Sequence, residues 1–223
     1  SSTISKTENQ LQQNSITKRR NNMNENCLKT HGLSRMAGHK HRNGPSSYHM
    51  QNPDLIFENI NLIKGSIFAD IGCGAGDYSI HASKIVGSKG KVYSIDQSNS
   101  FLNSLLERCT EQSITNIIPV CADIKNGLNI CESGIDTCML STVLHCCKSI
   151  FEWKQLIIDT HTMLKNNGDL AIIECKKEAS EFGPPLNMRI GKEELEYFIL
   201  SFGFKIRKCI DLGYNYMYVF SKI

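Results

Sequence analysis

Three glycines at alternate positions, Gly72, Gly74 and Gly76, end one apolar run, and twenty residues later Asp96 ends the next. Glycines so spaced let a backbone turn through dihedrals closed to other residues, and they admit a ligand with no side chain in its way. If a helix follows, its first N–H groups are free and carry partial positive charge. A carboxylate at the end of the second run is placed to accept both hydroxyls of a ribose. The stretch "FADIGCGAGDYSI" therefore reads as a cradle for a nucleoside-containing ligand.

Two details decide which ligand. A dinucleotide loop has the spacing G-x-G-x-x-G, whereas here the third glycine comes one residue early. Asp70 stands two residues before the first glycine, where its charge would repel a pyrophosphate but accept hydrogen bonds from an ammonium group, directly or through water. A nucleoside with a cationic tail fits better than one with phosphates, and S-adenosylmethionine has that form. A nicotinamide-dependent oxidoreductase is the weaker reading.

Further candidates sit at the ends of later apolar runs. In "CADI", Asp123 is placed to accept an adenine amine, with Ala122, Ile124 and Gln97 flanking the ring. In "LSTVLHCC", Ser141, Thr142 and His145 follow the fourth run, where a general base would meet a substrate; a structural histidine is the competing reading. His81 and His161 read as helix-face residues. Cys73 lies inside the loop and reads as packing, with contact to the ligand from its position. Tyr48, His49, Glu174, Lys177 and Arg189 are candidates to line the acceptor side.

These residues need a scaffold. Continuous apolar runs at 66–72, 91–96, 116–123, 135–142 and 169–175 predict strands covered on both faces. Between them, Asp77 is predicted to cap a helix stopped by Gly87. Stripes from Phe101 to Cys109 and from Trp153 to Leu164 predict two more helices, the second closing at "KNNGD" as a C-cap and turn. A helix carrying Leu195, Phe198, Ile199 and Phe202 follows "FGPP". The last two runs, 205–212 and 214–223, are too close for a parallel crossover, so they must pair antiparallel. The prediction is an α/β fold: a doubly wound, seven-stranded, mostly parallel sheet ending in an antiparallel hairpin.

The chain has 223 residues, 40% hydrophobic and 21% charged, the balance of a globular domain. Residues 1–49 carry a net charge of +6 and the remainder −3. The basic, Ser/Asn/Gln-rich segment 1–49 reads as largely disordered and a candidate lid, with residues 50–223 as the folded domain. Its lack of aromatic interleaving before Tyr48 argues against a nucleic-acid partner. Cys27, His31, His39, His41 and His49 match no defined metal spacing, and no metal is expected. Ten cysteines lie mostly within apolar runs, and the N-terminus lacks an apolar secretory segment; the expectation is reduced thiols, no membrane span and a cytoplasmic location. Cys138, Cys146, Cys147 and Cys175 leave open a soft metalloid such as arsenite as methyl acceptor. A non-catalytic cofactor or metal sensor is the alternative from outside the enzymes.

The motifs "ADIGCGAG", "VYSIDQS", "CADI", "IDTCMLSTVLH" and "MLKNNGDLAIIE", in this order, resemble those of class I S-adenosylmethionine-dependent methyltransferases over residues 50–223. "KKEASEFGPPLNMRIGKEEL" resembles the prokaryotic branch named for ubiquinone and menaquinone biosynthesis. The resemblance implies a Rossmann-like fold and methyl transfer from S-adenosylmethionine to a small molecule by in-line attack. It also implies that Gly72, Gly74 and Gly76 line the methionine portion, Asp96 the ribose and Asp123 the adenine amine. The acceptor and the oligomeric state do not follow from it.

Overall fold

A computed structural model describes residues 47–128, 133–147, 149–181 and 183–223. The Cys/His candidates between Cys27 and His41, the expected disorder before residue 47, Cys131 and Phe182 lie outside the described residues.

Helix α1, Pro53–Asn59, starts where Asn52 accepts the Leu55 N–H at 3.2 Å and proline takes the first helical position. Then come strand β1 (Ile67–Ile71), α2 (Asp77–Val86), β2 (Lys91–Asp96), α3 (Asn99–Glu111), β3 (Ile117–Cys121) and β4 (Ile135–Ser141). The second half holds α4 (Ile150–Met163), β5 (Leu164–Cys175), α5 (Lys192–Leu200), β6 (Phe204–Asp211) and β7 (Asn215–Lys222). The strands form one sheet in the order β3-β2-β1-β4-β5-β7-β6. Those from β1 to β5 pair parallel, and β7 runs antiparallel to both β5 and β6. This is the expected seven-stranded sheet with its antiparallel end.

Alternation decides which face each apolar residue covers. Phe68, Val92, Met139, Ala171, Met217 and Val219 pack with Ile56, Phe57, Ile80 and Leu105 from α1–α3. Ala69, Ile95, Cys138, Leu140, Ile172 and Phe220 turn the other way, onto Leu156 and Ile157 of α4 and Leu195 and Ile199 of α5. Both faces are covered, hence unbroken apolar runs in place of an alternating pattern. The strand order reverses between β1 and β4, and the crevice at the carboxyl ends of these two strands is where open α/β sheets bind ligands.

Two local expectations change. Gly76, at φ +80°, occupies the cap of α2 and Asp77 is its first helical residue, because the loop needs a left-handed residue there. Strand β5 begins at Leu164, five residues earlier than expected. The "KNNGD" turn is absorbed as an irregularity, with Ile135 opposite Leu164 and Thr137 opposite Asp169, and Asn167 at φ +60°. Asparagine tolerates that region better than most residues.

Within β5, just after its irregular opening, Asp169 is 1% exposed and takes a 2.6 Å hydrogen bond from Arg207 Nη2 and a 3.2 Å bond from the Asn61 N–H. Arg207 also donates to the Asn59 carbonyl at 3.0 Å, tying α1 to the sheet. Arg207→Met should cost about 2 kcal/mol, since a buried carboxylate loses its countercharge, while ligand binding at the opposite sheet edge is unchanged. Urea unfolding and calorimetry measure the two separately.

Candidate active site

Strand β1 delivers the loop. The N–H groups of Gly72 and Cys73 both donate to the Ile95 carbonyl, at 2.8 and 2.9 Å, and Gly76 N–H donates to the Cys73 carbonyl at 2.9 Å. The three glycines stand at φ +74°, +52° and +80°. Beyond that shared conformation they serve different purposes. A Cβ on Gly72 would lie 2.5 Å from Val143 Cγ2, and one on Gly76 2.5 Å from Leu105 Cδ1, a side chain with no exposed surface. Gly74 has nothing within 4 Å of that position. Gly76→Ala should therefore destabilise by about 2–3 kcal/mol through overpacking and left-handed strain. Gly74→Ala should cost only about 1 kcal/mol yet fill the open cradle. Thermal melts paired with ligand calorimetry separate these outcomes.

Asp96, at the end of β2, accepts the Gly74 N–H at 2.9 Å through Oδ2 and the Ser98 N–H at 2.8 Å through Oδ1. Both oxygens retain a lone pair for another donor. Asp70 is 1% exposed and takes a 2.6 Å bond from the Ser79 hydroxyl, itself the acceptor of the Ser94 hydroxyl at 2.7 Å. Burial pushes the Asp70 carboxyl up to about 7, against the Ser79 hydrogen bonds and assisted by the charges of Asp96 and Asp77. Arg108 neutralises Asp77 at 2.8 Å and fastens the loop by donating to the Ala75 carbonyl at 2.6 Å. An acid set of this kind suits a cation and repels phosphate, and the open position at Gly74 leaves room for one. The donor set thus fits S-adenosylmethionine.

The other predicted residues fall around this loop. Ala122 donates its N–H to the Asp96 carbonyl at 3.0 Å, which brings the "CADI" segment beside β2. Asp123 opens a 3₁₀ turn at Ile124–Asn126 and accepts from the Asn126 side chain at 3.1 Å, while Gln97 is exposed. Ser141 ends β4 and shares a 3.1 Å hydrogen bond with the hydroxyl of Ser47. Thr142 stands at φ +55°, strained for a β-branched residue. Cys73 is buried, and burial together with Asp70 and Asp96 raises its thiol pKa.

Three contributors escaped sequence reasoning. Ser47 reaches Ser141, Arg108 fastens the loop, and the buried Tyr78 hydroxyl lies against the hydroxyls of Ser47 and Ser141. Tyr78 follows the loop directly, so its position was a legible signal; the other two depend on long-range packing. Tyr48 hydrogen-bonds His81 Nδ1 at 2.9 Å and meets the Tyr78 ring edge-on at 5.0 Å, while His49 lies 3.7 Å from Asp77. The Ser47–Met50 turn is thereby bound to α2 and β4. A cavity of about 540 Å³ opens beside α2 and α3, lined by Tyr48, His49, Asp77, His81, Lys84 and Arg108 among others.

Across the crevice, Glu174 is 1% exposed and both its oxygens are engaged, by the Leu144 N–H at 2.8 Å and by His145 Nδ1 at 2.9 Å. Burial disfavours the charged imidazole, but hydrogen bonds with Cys146 and Glu174 and the Glu174 charge outweigh it, and the His145 pKa is pushed up to about 10. Arg189, 6% exposed, donates to the carbonyls of Pro184, Lys176, Glu178 and Ser180 at 2.6–3.5 Å and so clasps the loop after β5. Cys73, Cys109, Cys121, Cys138, Cys146, Cys175 and Cys209 are free thiols, and among the described residues no three His, Cys, Asp or Glu side chains form a metal site.

A family model described as "Methyltransferase domain" matches residues 62–200, more than half of the chain. The chain belongs to that methyltransferase family. Relatives of this methyltransferase domain include the ubiquinone/menaquinone biosynthesis C-methyltransferase UbiE of Blochmanniella pennsylvanica, 29% identical over 161 residues, 71% of this chain and 59% of that protein. Another is the "Probable cobalt-precorrin-6B C(15)-methyltransferase (decarboxylating)" of Sulfurisphaera tokodaii, 22% identical over 53% of this chain and 58% of that protein. The domain thus spans little more than half the length of these relatives. A SAM-dependent methyltransferase from Aquifex aeolicus has the same fold, with a TM-score of 0.72 and 24% identity over 81% of this chain and 94% of that one. The [4+2]-cyclase SpnF has it too, with a TM-score of 0.64 and 17% identity over 76% of this chain and 79% of that one. The expected family and fold are borne out, and the oxidoreductase and sensor readings are not favoured. Among the described residues no helix is long and apolar enough to cross a membrane.

Proposed function

We propose that the chain transfers the methyl group of S-adenosylmethionine to a small-molecule acceptor. The observation that carries this reading is the glycine loop set among Asp70, Asp77 and Asp96, open at Gly74. S-adenosylmethionine, when bound, supplies an electrophilic methyl group on a sulfonium.

The residues divide the work. Gly72, Gly74 and Gly76 admit the methionine portion to the loop backbone, and the buried charge of Asp70 beneath them favours its ammonium. Asp96 is held in place by two N–H groups and has lone pairs to accept the ribose hydroxyls. Asp123 accepts the adenine amine, with Gln97, Ala122 and Ile124 around the ring; Cys73 and Ser141 complete the walls. Thr142, Tyr48 and His49 border the acceptor's entry. Glu174 orients His145, and Arg189 shapes the loop behind them. Positioning for in-line attack, with water excluded, supplies most of the rate. The relatives' names give a cobalt-precorrin and quinone precursors as acceptors, both small molecules, which supports that class.

Calorimetry with S-adenosylhomocysteine tests the reading. Saturable binding at tens of micromolar is expected; no heat at that concentration, with the fold intact by circular dichroism, would remove it.

A further inference from the structure

The His145–Glu174 pair sits on the acceptor side of the crevice, and methyl transfer as such gives it no task. Glu174 is buried beneath the 3₁₀ turn Leu144–Cys146, and each of its oxygens is engaged by a donor of that turn. A carboxylate so enclosed needs a countercharge, and the imidazole at 2.9 Å is the group in direct contact with it. Tyr216 pairs with Glu174 across β5 and β7 but donates its hydroxyl to the Ile190 carbonyl at 3.0 Å, and Arg189 donates to the carbonyls of the loop after β5. The His145 side chain keeps 15% of its surface exposed, enough for its edge to meet a ligand.

We propose that His145 is a fixed cationic hydrogen-bond donor, set by Glu174, that selects an acceptor already ionised as an organic oxyanion: a carboxylate, phenolate or enolate. This deepens the methyl-transfer reading and rests on it for the reaction, though not for the anion site. A group that already holds its proton cannot also take one from the acceptor. Burial acts against the imidazolium, yet Glu174 and Cys146, the titrating groups that face it, raise its pKa well above neutrality. In the transfer step an electron pair of the oxyanion forms the bond to the methyl carbon, and the sulfur keeps the pair of the breaking C–S bond. No proton moves, His145 stays charged, and a neutral methylated product leaves a site built for an anion.

Trp153, the only tryptophan of the chain, donates its indole N–H to the Leu144 carbonyl at 3.0 Å, so its fluorescence reports on this turn. Titrating the full chain with benzoate should give a saturable change, whereas benzyl alcohol, of like shape but neutral, should give none. His145→Gln should weaken benzoate at least tenfold. In Glu174→Gln benzoate binding should survive at pH 5.5 and vanish at pH 8. NMR of the histidine ring protons, assigned by the signal lost in His145→Gln, should show wild-type His145 protonated to at least pH 8.5 and the Glu174→Gln ring titrating at least two pH units lower. Equal responses to benzoate and benzyl alcohol, benzoate binding untouched by His145→Gln, or an imidazole neutral at pH 8 would overturn the proposal. Loss of S-adenosylhomocysteine binding with the benzoate response intact would instead remove methyl transfer and leave the anion site standing.

Discussion

Asp96→Ala should weaken S-adenosylhomocysteine binding at least a hundredfold while moving the melting temperature by only a few degrees. The carboxylate is a half-buried hub: Oδ2 holds the Gly74 N–H, Oδ1 holds the Ser98 N–H, and each oxygen has a lone pair left for a ribose hydroxyl. Removing it deletes two charge-assisted bonds to the ligand, each worth about 1.5–3 kcal/mol, and also frees the central glycine of the cradle. The folded protein loses little, because Ser98 still caps α3 through the Phe101 N–H and Gly72 and Cys73 keep their bonds to Ile95. Calorimetry and a thermal melt on the same sample decide the matter. Unchanged affinity would remove the ribose assignment, and a collapsed melting temperature would make Asp96 a structural residue.

Asp70→Asn should act in opposite directions on stability and on binding. The folded carboxyl titrates near 7, above its ordinary 3.8. The native state therefore holds a proton that the unfolded chain has lost between those values, so the group's stabilisation is complete below about pH 4 and disappears as pH rises through 7. The full shift corresponds to about 4 kcal/mol, but asparagine brings amide donors with no assured partner, so a gain of about 2 kcal/mol at pH 8 is the expected result. That raises the melting temperature by about 4–8 °C at pH 8 and by little at pH 4.5. A bound cation would hold Asp70 ionised. Wild-type affinity for S-adenosylhomocysteine should then fall up to tenfold per pH unit below 7, while that of Asp70→Asn stays flat and lower at pH 8. Melts at two pH values and calorimetry across pH 5.5–8.5 measure both halves. A variant less stable than wild type at pH 8 would sink the account.

Much of this was legible in the sequence because strands buried on both faces spell themselves as apolar runs. Five such runs, with the short gap before the last pair, were enough to predict the sheet and its antiparallel end. The cradle was legible for a related reason: left-handed backbone and close approach demand glycine, and Gly72, Gly74 and Gly76 stand where the loop turns. Helix α1 carried an Asn-Pro start signal but has only seven residues, about two turns, of weak periodicity. Asp77 has the right chemistry for a cap, yet the loop's conformation put Gly76 there first. Of the links that orient the site, Asp70 to Ser79 spans only the glycine loop, whereas Ser47 to Ser141 and His145 to Glu174 join residues far apart in the chain. Arg189 has the charge of a substrate ligand, and its fate was decided by four carbonyls of a loop that no local pattern announces.

The two outer strands of the sheet have a consequence for how the protein behaves in a crowded solution. β3 carries Pro119 at its middle residue, opposite Ser94, and β6 carries Lys205 and Lys208 beside the ion-paired Arg207. A proline has no N–H to offer an incoming strand, and a row of cations repels its own copy. Both borders of the seven-stranded sheet thus carry features that discourage edge-to-edge pairing with another copy.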